Sequence, residues 1–320
     1  MTMSLFFKNA IKNILPPKYI NKLIDFYHIK NLPKHGLSVK QYDQYFDIVS
    51  DSGKCIRISR KHNIYMADIL ASFDYYYTAV EPVEIDGRRL VDYSRPSYHD
   101  VIGYDLHPIM FSSFAEPIAT TNQYVDFARL TDGSIVLDLG AYSGLTSIMF
   151  DRIVGPKGRV IAVDPDPTNI KSMSKNFGNY QRATGRKIDF LEGAVWEHNS
   201  GIMFSGEGNM GSSASTYVGE YRGNVKKVKT FTLSAIALQF GLQAVDFIKC
   251  DIEGAESVIF RDSEFFKKNK PRIIIEPHYI NGILTTGACI DQLSPFGYKF
   301  NEIKQHGSHI PLLECYPISN

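Results

Sequence analysis

The sequence predicts an α/β protein: a mostly parallel sheet with helices on both faces, preceded by a smaller N-terminal α+β region. Three observations predict it. From about Ala115 onward, short apolar β-branched runs alternate with stretches of helical length, the pattern of strands buried on both faces. Most of these runs end at or just before an acidic side chain, at the strand end where such sheets meet their ligands. The chain before residue 114 lacks this rhythm. The expected division is therefore an accessory region at 1–113 and a ligand-binding domain at 114–320.

In chain order, Ile11, Ile14 and Leu15 share one helical face opposite lysines, predicting a helix packed on its own domain. Leu5, Phe6 and Phe7 are cut off by Lys8 and Lys12, too short a run for a secretory signal. Phe46–Val49 and Cys55–Ile58 read as mixed extended segments, and about Asn63 to Ala79 as a helix. Val83–Ile85 and Arg88–Tyr93 flank Asp86-Gly87, a pair suited to a tight hairpin turn. The core strands are then expected at 134–138, 160–164, 188–191, 247–251 and 272–276. A Gly/Ser-rich stretch at 205–216 reads either as a lid over a site or as a passive loop.

Composition narrows the function. The 320 residues are 44% hydrophobic and 22% charged, enough to build a core and too apolar for wholesale disorder. Lys+Arg 35 against Asp+Glu 34 leaves a net charge of +1, which argues against a nucleic-acid partner. No apolar run is long enough for a transmembrane segment. The four cysteines, Cys55, Cys250, Cys289 and Cys315, have no metal-site spacing and suit a reducing compartment, so a cytoplasmic location is expected. Self-association is left open. Lys171, Lys175, Arg182, Arg186 and Lys187, and Lys226, Lys227 and Lys229, read as solvated faces, having no interleaved aromatics to stack bases. Tyr75, Tyr76, Tyr77, Tyr93 and Tyr98 read as packing residues before sugar platforms.

The sharpest motif is Asp138-Leu-Gly140-Ala-Tyr-Ser-Gly144 between a strand and a helix. A dinucleotide loop would carry GxGxxG and cradle a pyrophosphate. Here the middle glycine is missing, and Asp138 would repel a pyrophosphate. An acid at that position suits a cation instead, such as the ammonium of S-adenosylmethionine. Asp164, ending the second strand, can accept ribose hydroxyls in either kind of site. A nicotinamide-dependent oxidoreductase is therefore the weaker reading.

Asp-Leu-Gly-Ala-Tyr-Ser-Gly at 138–144, Val-Ile-Ala-Val-Asp-Pro-Asp-Pro at 160–167 and Lys-Cys-Asp-Ile-Glu-Gly-Ala-Glu at 249–256 resemble the signature blocks of the FkbM-type methyltransferases, over roughly residues 115–300. The resemblance implies a Rossmann-like class I methyltransferase core, S-adenosylmethionine as cofactor, and O-methylation of a sugar or natural product. It implies that Asp138, Gly140, Ala141, Tyr142, Ser143 and Gly144 line the methionine part, that Asp164 and Pro165 hold the ribose, and that Glu192, Gly193 and Ala194 flank the adenine. This chain departs from the family at three positions: Tyr142 replaces a usual Asn, Asp164 a usual Glu, and Ser234 a frequent Asp. Glu116-Pro117 has a counterpart in many members.

Asp251, Glu253, Glu276 and His278 follow the fourth and fifth strands and are the catalytic candidates. His278 is the expected general base, because imidazole titrates near neutrality. Asp251, Glu253 and Glu276 could instead hold Mg2+, or Glu253 and Glu256 could cap the next helix. The expected partner is a small-molecule or glycan acceptor. A non-catalytic scaffold that keeps the cofactor pocket is the remaining alternative.

Overall fold

The computed structural model describes residues 36–206, 213–214 and 224–318. The predicted helix carrying Ile11, Ile14 and Leu15, and most of the 205–216 loop, lie outside the described residues.

Strands β1 (Leu37–Gln41), β2 (Tyr45–Ser50), β3 (Cys55–Ser59), β4 (Val83–Ile85) and β5 (Arg88–Tyr93) form a five-stranded sheet in the order β1-β2-β3-β5-β4. The β4–β5 hairpin turns at Asp86 and Gly87, with φ of +52° and +70°, the left-handed pair that the Asp-Gly sequence predicts. The helix expected over 63–79 is broken into a 3-10 turn (Arg60–Tyr65), α1 (Met66–Ala71) and α2 (Phe73–Tyr77). Ser72 interrupts it at φ −135°, and its hydroxyl donates to the Gly307 carbonyl at 2.8 Å. A serine that bonds outside the helix weakens helix continuation. β6 (Ser97–His99) and β7 (Ile109–Phe111) make a ribbon that leads into the core.

The core begins with α3 (Ile118–Ala128), β8 (Ile135–Leu139), α4 (Leu145–Val154), β9 (Arg159–Asp164), α5 (Pro167–Thr184) and β10 (Asp189–Glu192). Short strands follow: β11 (Ala194–Val195), β12 (Ile202–Gly206), β13 (Ser213–Ala214), β14 (Asn224–Val228) and β15 (Thr230–Phe231). Next come α6 (Leu233–Gln239), β16 (Phe247–Cys250), α7 (Glu256–Ile259), α8 (Ser263–Lys268) and β17 (Arg272–Ile275). The chain continues through the hairpin β18 (Tyr279–Ile280) and β19 (Ile283–Leu284), then α9 (Thr286–Leu293), β20 (Tyr298–Ile303) and β21 (Leu312–Pro317).

Seven strands form the central sheet in the order β10-β9-β8-β16-β17-β21-β20. The first five are parallel, and β21 runs antiparallel to both β17 and β20. This is a mostly parallel, doubly wound sheet of the kind expected, and the five predicted core strands appear within about a residue of their expected bounds. Strand residues alternate between two apolar layers. Val136, Val160, Ala162, Phe247 and Ile274 pack on the side of α3, α4 and α5. Leu137, Ile161, Ile248, Ile273 and Ile275 pack on the side of α6, α8 and α9. Each such side chain taken fully out of water contributes roughly 1.5–3 kcal/mol. The first layer is continuous with the N-terminal sheet, through Phe46, Ile48, Tyr93 and Phe111 to Tyr124 and Ile148.

Strand order reverses between β8, which leads outward to β9 and β10, and β16, which leads to β17. Such a switch point opens a crevice at the carboxyl ends of the strands. Among the described residues no helix is long and apolar enough to cross a membrane.

Candidate active site

The loop after β8 turns through three left-handed residues: Gly140 at φ +75°, Tyr142 at +48° and Gly144 at +79°. The Gly140 and Ala141 amides donate to the Val163 carbonyl, tying the loop to β9. A Cβ on Gly140 would lie 1.6 Å from the Asp251 carbonyl oxygen, so only glycine allows the loop to reach β16. Lys249, fully buried at the end of β16, completes the clamp by donating to the Gly140 carbonyl at 2.7 Å.

Asp138 belongs to this clamp and does not line the cleft. Its Oδ2 accepts from Ser147 at 2.5 Å, and its Oδ1 lies 3.7 Å from Lys249 Nζ. Burial raises the Asp138 pKa, opposed by the Lys249 charge. Burial would lower the Lys249 pKa, but Asp251 and Asp138 outweigh it and keep the ammonium charged. The carboxyl that does face the cleft beside this loop is Glu116, whose Oε2 accepts from Ser143 Oγ at 2.9 Å. Burial pushes its pKa up to about 8.

Tyr142 does not close the site. Its ring stacks near Phe111, and its hydroxyl donates to the Phe114 carbonyl at 2.8 Å while the Ser113 amide donates to it at 3.0 Å. The usual Asn tolerates a left-handed backbone better. Here the tyrosine fastens the N-terminal region to the loop.

The Asp164 carboxylate, at the end of β9, lines the cleft and accepts from the Tyr142 and Asp166 amides at 3.0 and 2.8 Å. Burial raises its pKa to about 7, against the pull of those amides.

The cleft lies at the switch point. Of the residues expected around a cofactor, Gly140, Tyr142, Asp164, Pro165, Gly193 and Ala194 line it. Ala141, Ser143 and Gly144 are buried behind its wall, and Glu192 is exposed on another side of β10. Sequence reasoning missed the apolar lining of Trp196, Ile202, Phe204 and Ile252. Trp196 follows β11 directly and could have been found as the chain's one tryptophan. Ile202 and Phe204 come from a minor strand with no comparable signal. Ser234 lies at the start of α6, where its amide and hydroxyl both donate to Asp262, so a carboxylate is supplied from a neighbouring element.

Two of the four catalytic candidates reach the cleft. Asp251 and Glu253 line the cleft. His278 Nε2 lies 3.6 Å from Asp251 Oδ1 and 3.7 Å from Glu253 Oε2. Glu256 is buried: its Oε1 accepts from the His278 amide at 2.9 Å and from Thr285 Oγ1 at 2.7 Å, and His278 Nδ1 is 3.2 Å away. Its Oε2 accepts from the Gly254 amide at 2.8 Å, in the turn before α7, and no side chain caps that helix. Burial would raise the Glu256 pKa, yet His278 and its hydrogen bonds hold it below the usual carboxylate range.

Two expectations are corrected here. His278 is not a free base: burial disfavours its charge, but Glu253 and Glu256 outweigh that and lift its pKa well above the ordinary 6.5. An imidazolium has no lone pair with which to take a proton. Glu276 does not join Asp251 and Glu253. Its Oε2 accepts from Tyr124 at 2.7 Å, and the residues whose ligand atoms converge within 4.8 Å are Asp251, Glu253 and His278. The Glu253 pKa rises to about 8, chiefly through burial.

The exposed Lys171, Lys175 and Arg182 sit on the outer face of α5. Arg186 folds back onto Asp151 at 2.6 Å.

Comparison with known proteins gives three findings. The model of the FkbM methyltransferase domain matches residues 138–304. A curated protein of Sulfolobus acidocaldarius, "Probable cobalt-precorrin-6B C(15)-methyltransferase (decarboxylating)", is 36% identical over 70 residues, 22% of this chain, and the match spans only 35% of that protein. Among solved structures, methyltransferase FkbM from Methylobacillus flagellatus KT is 16% identical with a TM-score of 0.44, covering 61% of this chain and 50% of that one. Aeropyrum pernix fibrillarin with natively bound S-adenosyl-L-methionine is 12% identical with a TM-score of 0.39, covering 87% and 97%.

Proposed function

Because the chain belongs to the FkbM methyltransferase family, we propose that it transfers a methyl group from S-adenosylmethionine to a hydroxyl of a sugar, on a polysaccharide, glycoconjugate or natural product. The observation that carries this reading is one cleft lined both by apolar side chains, Trp196, Ile202 and Phe204, and by the carboxyl groups of Asp164, Asp251 and Glu253.

The residues present fit the cofactor. Trp196, Ile202, Phe204 and Val163 offer apolar walls to an adenine, and Asp164 offers carboxylate oxygens to ribose hydroxyls. Gly140 leaves bare backbone on the cleft wall, and Glu116 faces the ammonium end in the role expected of Asp138. Bound there, S-adenosylmethionine supplies an electrophilic methyl group on a positive sulfur.

The protein's own part is positional and electrostatic. Glu253 accepts the hydrogen bond of the acceptor hydroxyl, and Asp251 beside it helps aim that oxygen along the cleft. The acceptor oxygen held there would take the methyl group from the bound cofactor, which would leave as a neutral thioether. The hydroxyl proton passes to Glu253, whose elevated pKa suits a general base near neutrality. His278, fixed by Glu256, lies 3.6 Å from Asp251 and 3.7 Å from Glu253 and attracts both electrostatically. Choice of a sugar acceptor rests on family habit, an argument by analogy.

Calorimetric titration with S-adenosylhomocysteine, paired with NAD, tests the donor: the homocysteine product binds and NAD does not. Binding of NAD alone overturns the reading. Glu253→Gln is expected to keep S-adenosylhomocysteine affinity and to lose on the order of 10²–10⁴-fold in turnover of a sugar acceptor. Unchanged turnover would favour a base elsewhere.

A further inference from the structure

Asp251, Glu253 and His278 come from two segments, the turn after β16 and the loop after β17, and His278 meets the two carboxyl groups that line the cleft. We infer that these three side chains form a binding site for a single divalent first-row transition-metal ion.

One ligand atom from each of the three side chains lies within 4.8 Å of the others. His278 Nε2 points at Asp251 Oδ1 and Glu253 Oε2 from 3.6 and 3.7 Å, beyond hydrogen-bond range, so it faces both carboxylates while bonding to neither. Ligand atoms bound at ~2.1 Å to a common ion sit about 3.0–3.4 Å apart, so small side-chain rotations complete the set.

An independent observation lies behind the histidine. Glu256, buried and anchored by Thr285 and two backbone amides, lies 3.2 Å from His278 Nδ1. A carboxylate on the far nitrogen of an imidazole fixes the tautomer that presents Nε2 as a ligand and raises its basicity. The ion's two charges balance the two liganding carboxylates. One imidazole with two carboxylates favours Mn2+ or a related ion over Mg2+, which prefers oxygen alone.

Taken with the methyl-transfer reading, on which this last step rests, the ion would hold the acceptor hydroxyl and make its proton easier to lose. Glu253 uses Oε2 for the ion and keeps Oε1 for that proton, so the methyl-transfer balance given above is unchanged.

The test uses the full chain, stripped with EDTA and titrated with MnCl2 by calorimetry and by electron paramagnetic resonance of bound Mn2+. One equivalent is expected to bind. His278→Ala and Glu253→Gln should each weaken it at least ~10-fold, and Glu256→Gln by ~10- to 100-fold. Circular dichroism of each variant excludes misfolding. Glu276→Gln, outside the ligand set, should bind Mn2+ as the parent does. Absence of a bound equivalent, or binding indifferent to His278→Ala and Glu253→Gln, overturns the site. S-adenosylhomocysteine is titrated into the same samples. Its binding without Mn2+ sinks the metal site alone, and Mn2+ binding without it sinks the methyl-transfer reading alone.

Discussion

Lys249 sits with both its charge and its hydrogen bonds inside the protein, between Asp138, Asp251 and the Gly140 carbonyl. Removing one member of a buried ion pair strands the other, at a cost of roughly 3–5 kcal/mol. Lys249→Met should therefore lower the unfolding free energy by about that much in urea titrations. Adding Asp138→Asn should restore part of it, whereas a simple sum of two losses would contradict the pairing. Glu116 gives a pH signature at the same scale. Burial raises its pKa from 4.5 to about 8, with Lys249 and Ser143 opposing the rise and Asp138 and Asp251 adding to it, so the folded protein holds this proton more tightly than the unfolded chain. Its contribution to stability is complete below 4.5 and is lost as the pH rises through about 8. The urea midpoint of the parent protein should fall across that window more steeply than that of Glu116→Gln. Equal slopes would place the proton elsewhere.

The elements that carry the site were legible to very different degrees. β8, β9, β16 and β17 are buried on both faces, so their apolar runs announce them and their last residues mark the cleft rim. β20 and β21 were missed. β20, Tyr-Lys-Phe-Asn-Glu-Ile, is an edge strand with much of its length exposed, and a half-exposed strand carries no continuous apolar signal. Motif residues were read correctly as belonging to tight loops, but periodicity cannot tell a side chain that lines a cleft from one that braces it. Asp138 braces and Glu116 lines, and only Lys249, about 110 positions away in the chain, decides which. His278 was misread for the same reason, since the acids that hold it charged come partly from another loop. α5 gives this scale its own test. Asn176 accepts from the Met110 amide at 2.8 Å and donates to the Met110 and Ser143 carbonyls at 2.9 and 2.8 Å. Asn176→Ala leaves these buried groups unpaired at ~1–3 kcal/mol each. It should lower the thermal midpoint and weaken S-adenosylhomocysteine binding together.

Across the whole molecule, the first apolar layer passes from the N-terminal sheet into the core without a break. Asn176 and Tyr142 stitch the same boundary with buried hydrogen bonds. The two regions that the sequence separates at residue 114 are therefore expected to unfold as one. Far-ultraviolet dichroism, which sees both sheets, and fluorescence from Trp196, which sits in the core domain, should report coincident transitions. A separate early transition in the dichroism would show that the accessory region melts independently.

Trp196 has a further consequence. It is the chain's one tryptophan, and it lines the cleft. The protein thus carries an intrinsic optical probe where a ligand would arrive, with no second indole to dilute the signal. Quenching or a spectral shift on rapid mixing would follow occupancy in real time and without labels. Arrival and departure rates could then be measured for donor and product before any acceptor is known.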